Sequence, residues 1–189
     1  MIRQARRASS FVLVVAVSAF AVPASAWELA GNKTIALHTR EGQAVPIGSV
    51  EFRPEGGRVR FAIKLDHARF KDYFLSMREF KCIDGPGETH CHVPYPYRMP
   101  STVTAGDLAW LEHSLLFLHN TPRDYGAKLA KGVYYRMQIT ADGIVGTPQS
   151  VDLAQIGAPP ADLDVPPFGP ADRGEIGSGE RWFSGISIR

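Results

Sequence analysis

Apolar and polar positions alternate with period two along much of this chain. The run 58–65 shows it best. Val59, Phe61, Ile63 and Leu65 take one side of an extended backbone, and Arg58, Arg60, Ala62 and Lys64 take the other. One apolar face opposite a polar one predicts an antiparallel sheet with one side in water. Residues 33–40 repeat the pattern, with Ile35 and Leu37 set against Thr34, Ala36 and His38, and Glu41-Gly42 turns the chain. Residues 44–53 form a second strand. Its phase shifts between Ile47 and Val50, beside Gly48, which predicts a bulge. Pro54-Glu55-Gly56-Gly57 is a further turn.

The middle of the chain is less regular. Residues 67–74 have no clean period and read as one helical turn. Residues 75–82 and 89–95 flank Asp84-Gly85-Pro86-Gly87, which predicts a hairpin whose second arm ends or meets a sheet edge at Pro94 and Pro96. The spacing predicts a helix over 104–113, with Thr104 as its cap and Asp107 near its positive end. Residues 115–118 fit either a continuation of that helix or a short buried strand, because so short an apolar run has no decisive period. Residues 133–140 alternate again, Ala141-Asp142-Gly143 makes a hairpin turn, and 144–153 returns, with Pro148 at an edge or bulge. Residues 157–180 are rich in Pro and Gly and predict an irregular arm on the surface. Residues 181–189 regain strand character. Trp182, Phe183, Ile186 and Ile188 predict a closing strand there.

These elements make about eight or nine strands and one short helix, which predicts a mainly β fold: an antiparallel β-barrel or sandwich with a helix against it. Trp27-Glu28-Leu29-Ala30-Gly31 resembles the W-x-L-x-G opening of small lipocalin-like barrels. That resemblance implies a barrel and brings no ligand with it.

The first 26 residues belong to none of this. Arg3, Arg6 and Arg7 precede an apolar run over 11–22, and Ala24-Ser25-Ala26 closes it with small residues. This is the pattern of a secretory signal peptide cleaved before Trp27. The run is too short to span a bilayer comfortably, and no later segment is apolar enough to do so. Residues 27–189 then form one β-rich domain of ordinary size, placed in a periplasm or outside the cell. Charge changes meaning with the cut. Three of the 21 Lys and Arg lie in the leader and none of the 19 acids does, so the remainder carries 18 against 19. That balance has no basic surplus for nucleic acid.

Export also sets the chemistry of the cysteines. Cys82 and Cys91 are the only two, and outside the cytoplasm such a pair predicts a disulfide. Closing a loop of about ten residues stabilises by roughly 2.5–3 kcal/mol on the chain-entropy model. The stapled segment 82–97 concentrates the candidate chemistry. His90 and His92 stand two apart on a strand, so they share a side and Cys91 takes the other. With a third ligand from Glu88, Asp84, His113 or His119 they would suit Zn or Cu. Tyr95-Pro96-Tyr97, with Trp110 from the helix, offers an aromatic ledge for a ligand.

No catalytic motif appears. The serine at 76 lacks a G-x-S-x-G context, and Glu112-His113 lacks the second histidine of H-E-x-x-H. The leading expectation is a module that binds a partner protein of the envelope or a small ligand through the 82–97 loop. The alternatives are an envelope metal-binding protein using His90 and His92, and a hydrolase with dispersed catalytic residues.

Overall fold

A computed structural model describes residues 27–75, 78–121, 123–124 and 126–189. The leader expected at 1–26 lies outside the described residues. The fold is mainly antiparallel β. The chain opens with a meander of β1 (Gly31–Thr39), β2 (Ala44–Glu55) and β3 (Arg58–Leu65). The bulge expected near Gly48 is present: the register between β1 and β2 shifts at Ile35/Ala36, opposite Gly48 and Pro46. Gly56 and Gly57, both at positive φ (56° and 86°), make the two-residue turn into β3, a conformation that side chains rarely adopt.

A second meander follows, made of β4 (Lys71–Leu75), β5 (Arg78–Gly85), β6 (Glu88–Val93), β8 (Leu116–Asn120), β9 (Gly132–Thr140) and β10 (Gly143–Val151). Between β6 and β8 lie the short β7 (Thr102–Val103) and the helix α1 (Ala109–His113). The two-residue β11 (Gly174–Glu175) pairs with β10, and β12 (Phe183–Ile188) ends the chain. The resulting twelve-stranded sheet runs β4-β5-β6-β8-β9-β10-β12-β1-β2-β3-β7 and does not close.

β12 holds the two meanders together. Ile188 faces Ile35 of β1 on one side and Ile144 of β10 on the other. The side chains of β12 that point inward, Phe183, Ile186 and Ile188, are buried in the same core as Leu37, Ile47, Phe52, Phe61, Leu111, Phe117, Tyr135 and Met137. One core drawing on both meanders means that the open sheet curls around it.

Part of the sheet is buried on its outer face too. Cys82, Cys91, Leu116, Leu118, Tyr134 and Val151 form a second core, covered by Leu153, Ile156 and Phe168. The Pro/Gly-rich segment is therefore an arm with a real apolar anchor, Phe168. This double burial explains β8. Leu116, Phe117 and Leu118 are all buried on a strand because successive side chains enter opposite cores.

Three elements differ from expectation, the first being the hairpin arm expected over 75–82: Leu75 belongs to β4, where it pairs with Arg78, and the arm is β5. The helix is shorter than 104–113, because Thr104 and Asp107 exchange backbone hydrogen bonds (2.9 and 3.2 Å) in a tight turn. Asp107 then accepts from Ala109 N–H at 3.0 Å, and the helix starts there. Residues 67–74 hold only a 3-10 turn (His67–Arg69) before entering β4.

Truncating β12 should weaken both meanders at once. Ile186→Ala is expected to lower stability by about 2–5 kcal/mol in one cooperative urea transition. Two separate transitions in that variant would contradict a core shared through β12.

Candidate functional site

The hairpin of β5 and β6 puts Cys82 directly opposite Cys91, with Cα atoms 3.9 Å apart, and the two are joined by a disulfide. Both sulfurs face the outer core. Alternation along β6 then turns His90 and His92 the other way, toward Phe117. His90 is fully buried, stacked on Phe117 with ring centroids 4.4 Å apart, and its Nε2 meets the Tyr135 hydroxyl at 3.0 Å. Burial holds its pKa well below the ordinary histidine range, and nearby Arg181 adds to that. The ring is neutral. Its other nitrogen, Nδ1, has no hydrogen-bond partner among the described residues and lies 3.7 Å from Glu88 Oε1.

Glu88 is occupied elsewhere. Arg181 binds it through two donors, at 2.7 and 3.1 Å, and Trp182 N–H donates to it at 3.0 Å. Both partners of this pair are buried. Trp182 packs closely onto Gly85 at the hairpin turn; a Cβ there would come within 2.1 Å of the indole. The stapled hairpin is thereby fastened to the entry of β12. Arg181 had no local signal in the sequence, since its partner lies 93 residues away.

His113 and Glu112 form a second buried polar group. His113 Nδ1–H donates to Ala109 C=O at 2.7 Å, and Nε2 accepts from Phe168 N–H at 3.1 Å. Its ring stacks on Phe168, so it clamps the arm onto α1. Burial lowers its pKa to about 4. Glu112 accepts from Met137 N–H at 2.6 Å and from the Tyr134 hydroxyl, serving a stretch of β9 that β8 does not reach. Burial raises its pKa.

The expected metal ligands do not converge. Glu88 is held by Arg181, both nitrogens of His113 are engaged, and His92 Nε2 meets Ser114 C=O at 3.2 Å. Asp84 sits on the outer face of the hairpin, bonded to Lys71, Tyr73 and Thr89. His119 lies across from His90 in the β6–β8 register, and burial lowers its pKa to about 4. Among the described residues, no group of three or more His, Cys, Asp or Glu is disposed to hold a metal ion.

The aromatic ledge does assemble. Tyr95 lies 5.7 Å from Tyr97 and 5.9 Å from Trp110 between ring centroids. It is turned inward, however. Trp110 is buried in the main core, and Tyr97 donates to Ile156 C=O at 3.1 Å, which ties it to the 3-10 turn that precedes the arm.

The open space lies beside this ledge, where the sheet fails to close. A cleft of about 1210 Å³ runs between residues 61–65 of β3 and residues 78–81 of β5. His92, Pro94, Pro96, Met99, Leu153 and Ile156 also line it. Three of these, His92, Pro94 and Pro96, belong to the stapled segment.

Two outcomes are expected here. Arg181→Met should cost about 3–5 kcal/mol, because it strands a buried carboxylate; Glu88→Gln in the same chain should recover part of that loss in urea unfolding. Acid should also destabilise. Unfolded histidines take up protons near pH 6.5, whereas His113 and His119 resist until about 4 and His90 resists further. Unfolding free energy should therefore fall as pH drops from 7 toward 4, by up to about 1.4 kcal/mol per pH unit for each fully buried histidine. The raised Glu112 opposes this by one group. A urea midpoint unchanged between pH 7.5 and 5 would contradict neutral buried histidines.

Comparison with known proteins gives no match for this chain, whether by family model, by curated sequence or by solved structure. Its function must be argued from the geometry of the cleft and its walls.

Proposed function

We propose that this protein is an exported binding module whose ligand occupies the cleft between β3 and the stapled hairpin. The single observation that carries the reading is the cleft itself, about 1210 Å³ and bordered by Ile63, Leu65, Phe80, Pro94, Pro96 and Met99. Its size and largely apolar walls suit a ligand site. The leader pattern over 1–26 supports export, and the Cys82–Cys91 bridge is compatible with an oxidising compartment.

Binding accounts for the site better than catalysis. The buried titratable groups, His90, His113, Glu88 and Glu112, are spent on holding the fold. Within the cleft, Ser114 donates its hydroxyl to Trp110 C=O at 2.7 Å, and His92 meets the Ser114 carbonyl, not the hydroxyl. No nucleophile there is paired with a base among the described residues. The ligand is a partner protein or a small molecule with apolar surface, held against the stapled hairpin.

The dye 1-anilinonaphthalene-8-sulfonate, an apolar anion, serves as a probe. It is expected to bind saturably, one per chain, to protein that still melts cooperatively. Leu65→Glu or Met99→Trp should weaken that binding by about tenfold or more, a change of about 1.4 kcal/mol. Dye binding that is unsaturable, or indifferent to both substitutions, would overturn the reading.

A further inference from the structure

The outer edge of β3 is only half covered. β7 pairs with it at Val59 and Arg60, and Phe61 N–H donates to Ser101 C=O at 2.9 Å. There the covering chain leaves. Ser101 takes a positive φ of 53°, and Pro100 before it has no N–H to offer.

Backbone groups along an antiparallel strand point alternately to its two neighbours. In β3, Phe61 N–H points to Ser101 and Asp66 N–H points to Ile47 of β2 (2.8 Å). Odd-numbered residues therefore face outward and even-numbered ones face β2. Ile63 and Leu65 turn their N–H and C=O groups to the outer edge, where no described strand pairs with them. Both residues line the cleft.

Such an edge asks for a particular ligand. Donors and acceptors that recur every second residue, about 7 Å apart, match an extended backbone and not a compact small molecule. The side chains add a second constraint. Ile63 and Leu65 point inward with Phe61, against the main core. Lys64 points outward, and the alternation of β5 puts Arg78 on the same outer side as Phe80 and Cys82. Both cations are exposed, and neither pairs with a carboxylate among the described residues.

We propose that the occupant of the cleft is an extended peptide segment of alternating apolar and acidic residues, which adds to β3 along residues 62–65 where β7 stops. Strand addition of this kind draws affinity from main-chain hydrogen bonds and specificity from alternate side chains. Here the apolar side chains would enter the cleft and the acidic ones would meet Lys64 and Arg78. The inference deepens the binding-module reading and rests on it.

Calorimetry with the full chain and the peptide acetyl-Val-Glu-Val-Glu-Val-Glu-amide tests it. Two N-methylated versions, one methylated at every Val and one at every Glu, each remove the donors of one peptide edge. The parent should bind, and one methylated version should lose about tenfold or more while the other keeps most of its affinity. Ile63→Pro should cause a similar loss, because it deletes an outward N–H and leaves the ladder to β2 intact. Lys64→Glu with Arg78→Glu should shift preference to the Val-Lys analogue without touching the edge. Equal binding of both methylated peptides would overturn strand addition. Dye binding without peptide binding would also overturn it and leave the cleft reading standing; loss of both would overturn both.

Discussion

The buried ion pair of Arg181 and Glu88 is the constraint on which the rest of the structure depends. It fixes where β12 enters the sheet, and β12 is the strand that joins β10 to β1. It also fastens that strand to the β5–β6 turn, through Trp182 on Gly85 and Trp182 N–H on Glu88. A buried pair of this kind is a poor source of net stability, since both charges lose water. Any register of β12 that separates the two leaves a buried charge uncompensated. The disulfide acts one step further along the same hairpin, holding β5 and β6 together under the outer core.

From that frame the cleft follows. The sheet curls around one core but ends at β4 and at the β3–β7 edge, so the seam between β3 and the hairpin stays open. β7 begins to cover the β3 edge and is turned away at Ser101. Both walls are tied down, β3 by its full ladder with β2 and the hairpin by the disulfide and Arg181. The arm finishes the outer side. Phe168 stacks on neutral His113, and Arg173 lies 4.7 Å over the Tyr134 ring. A preformed cleft of this sort costs a ligand little ordering of the protein.

Much of the fold was legible in the sequence where the physics is local. Residues 58–65 form a strand because their alternation has only one buried solution, and the two glycines after Glu55 dictate the turn. The closing strand was legible because Phe183, Ile186 and Ile188 had to be buried somewhere. Strand β4 was not, because Tyr73, Phe74 and Leu75 are apolar in succession: Tyr73 and Leu75 pack against the outer core while Phe74 stands exposed between them, so the run carries no visible period. The helix was overextended because the Thr104–Asp107 turn uses the same residues that mark a helix start. At the site, the pairing of Cys82 with Cys91 followed from their being the only two cysteines behind an export signal, and the common face of His90 and His92 from their spacing. The residues that surround them did not. Arg181, Tyr135 and Phe168 reach the site across long stretches of chain, and nothing local to any of them announces a partner.

The most direct measurement is amide hydrogen exchange along β3 in the free protein, resolved residue by residue. An edge open beyond Phe61 requires alternation. Ala62 and Lys64, turned to β2, should exchange slowly, while Ile63 and Leu65 exchange at rates near those of exposed amides. Four amides protected alike would mean that this edge is already covered, and the central claim of an open, strand-accepting seam would be contradicted.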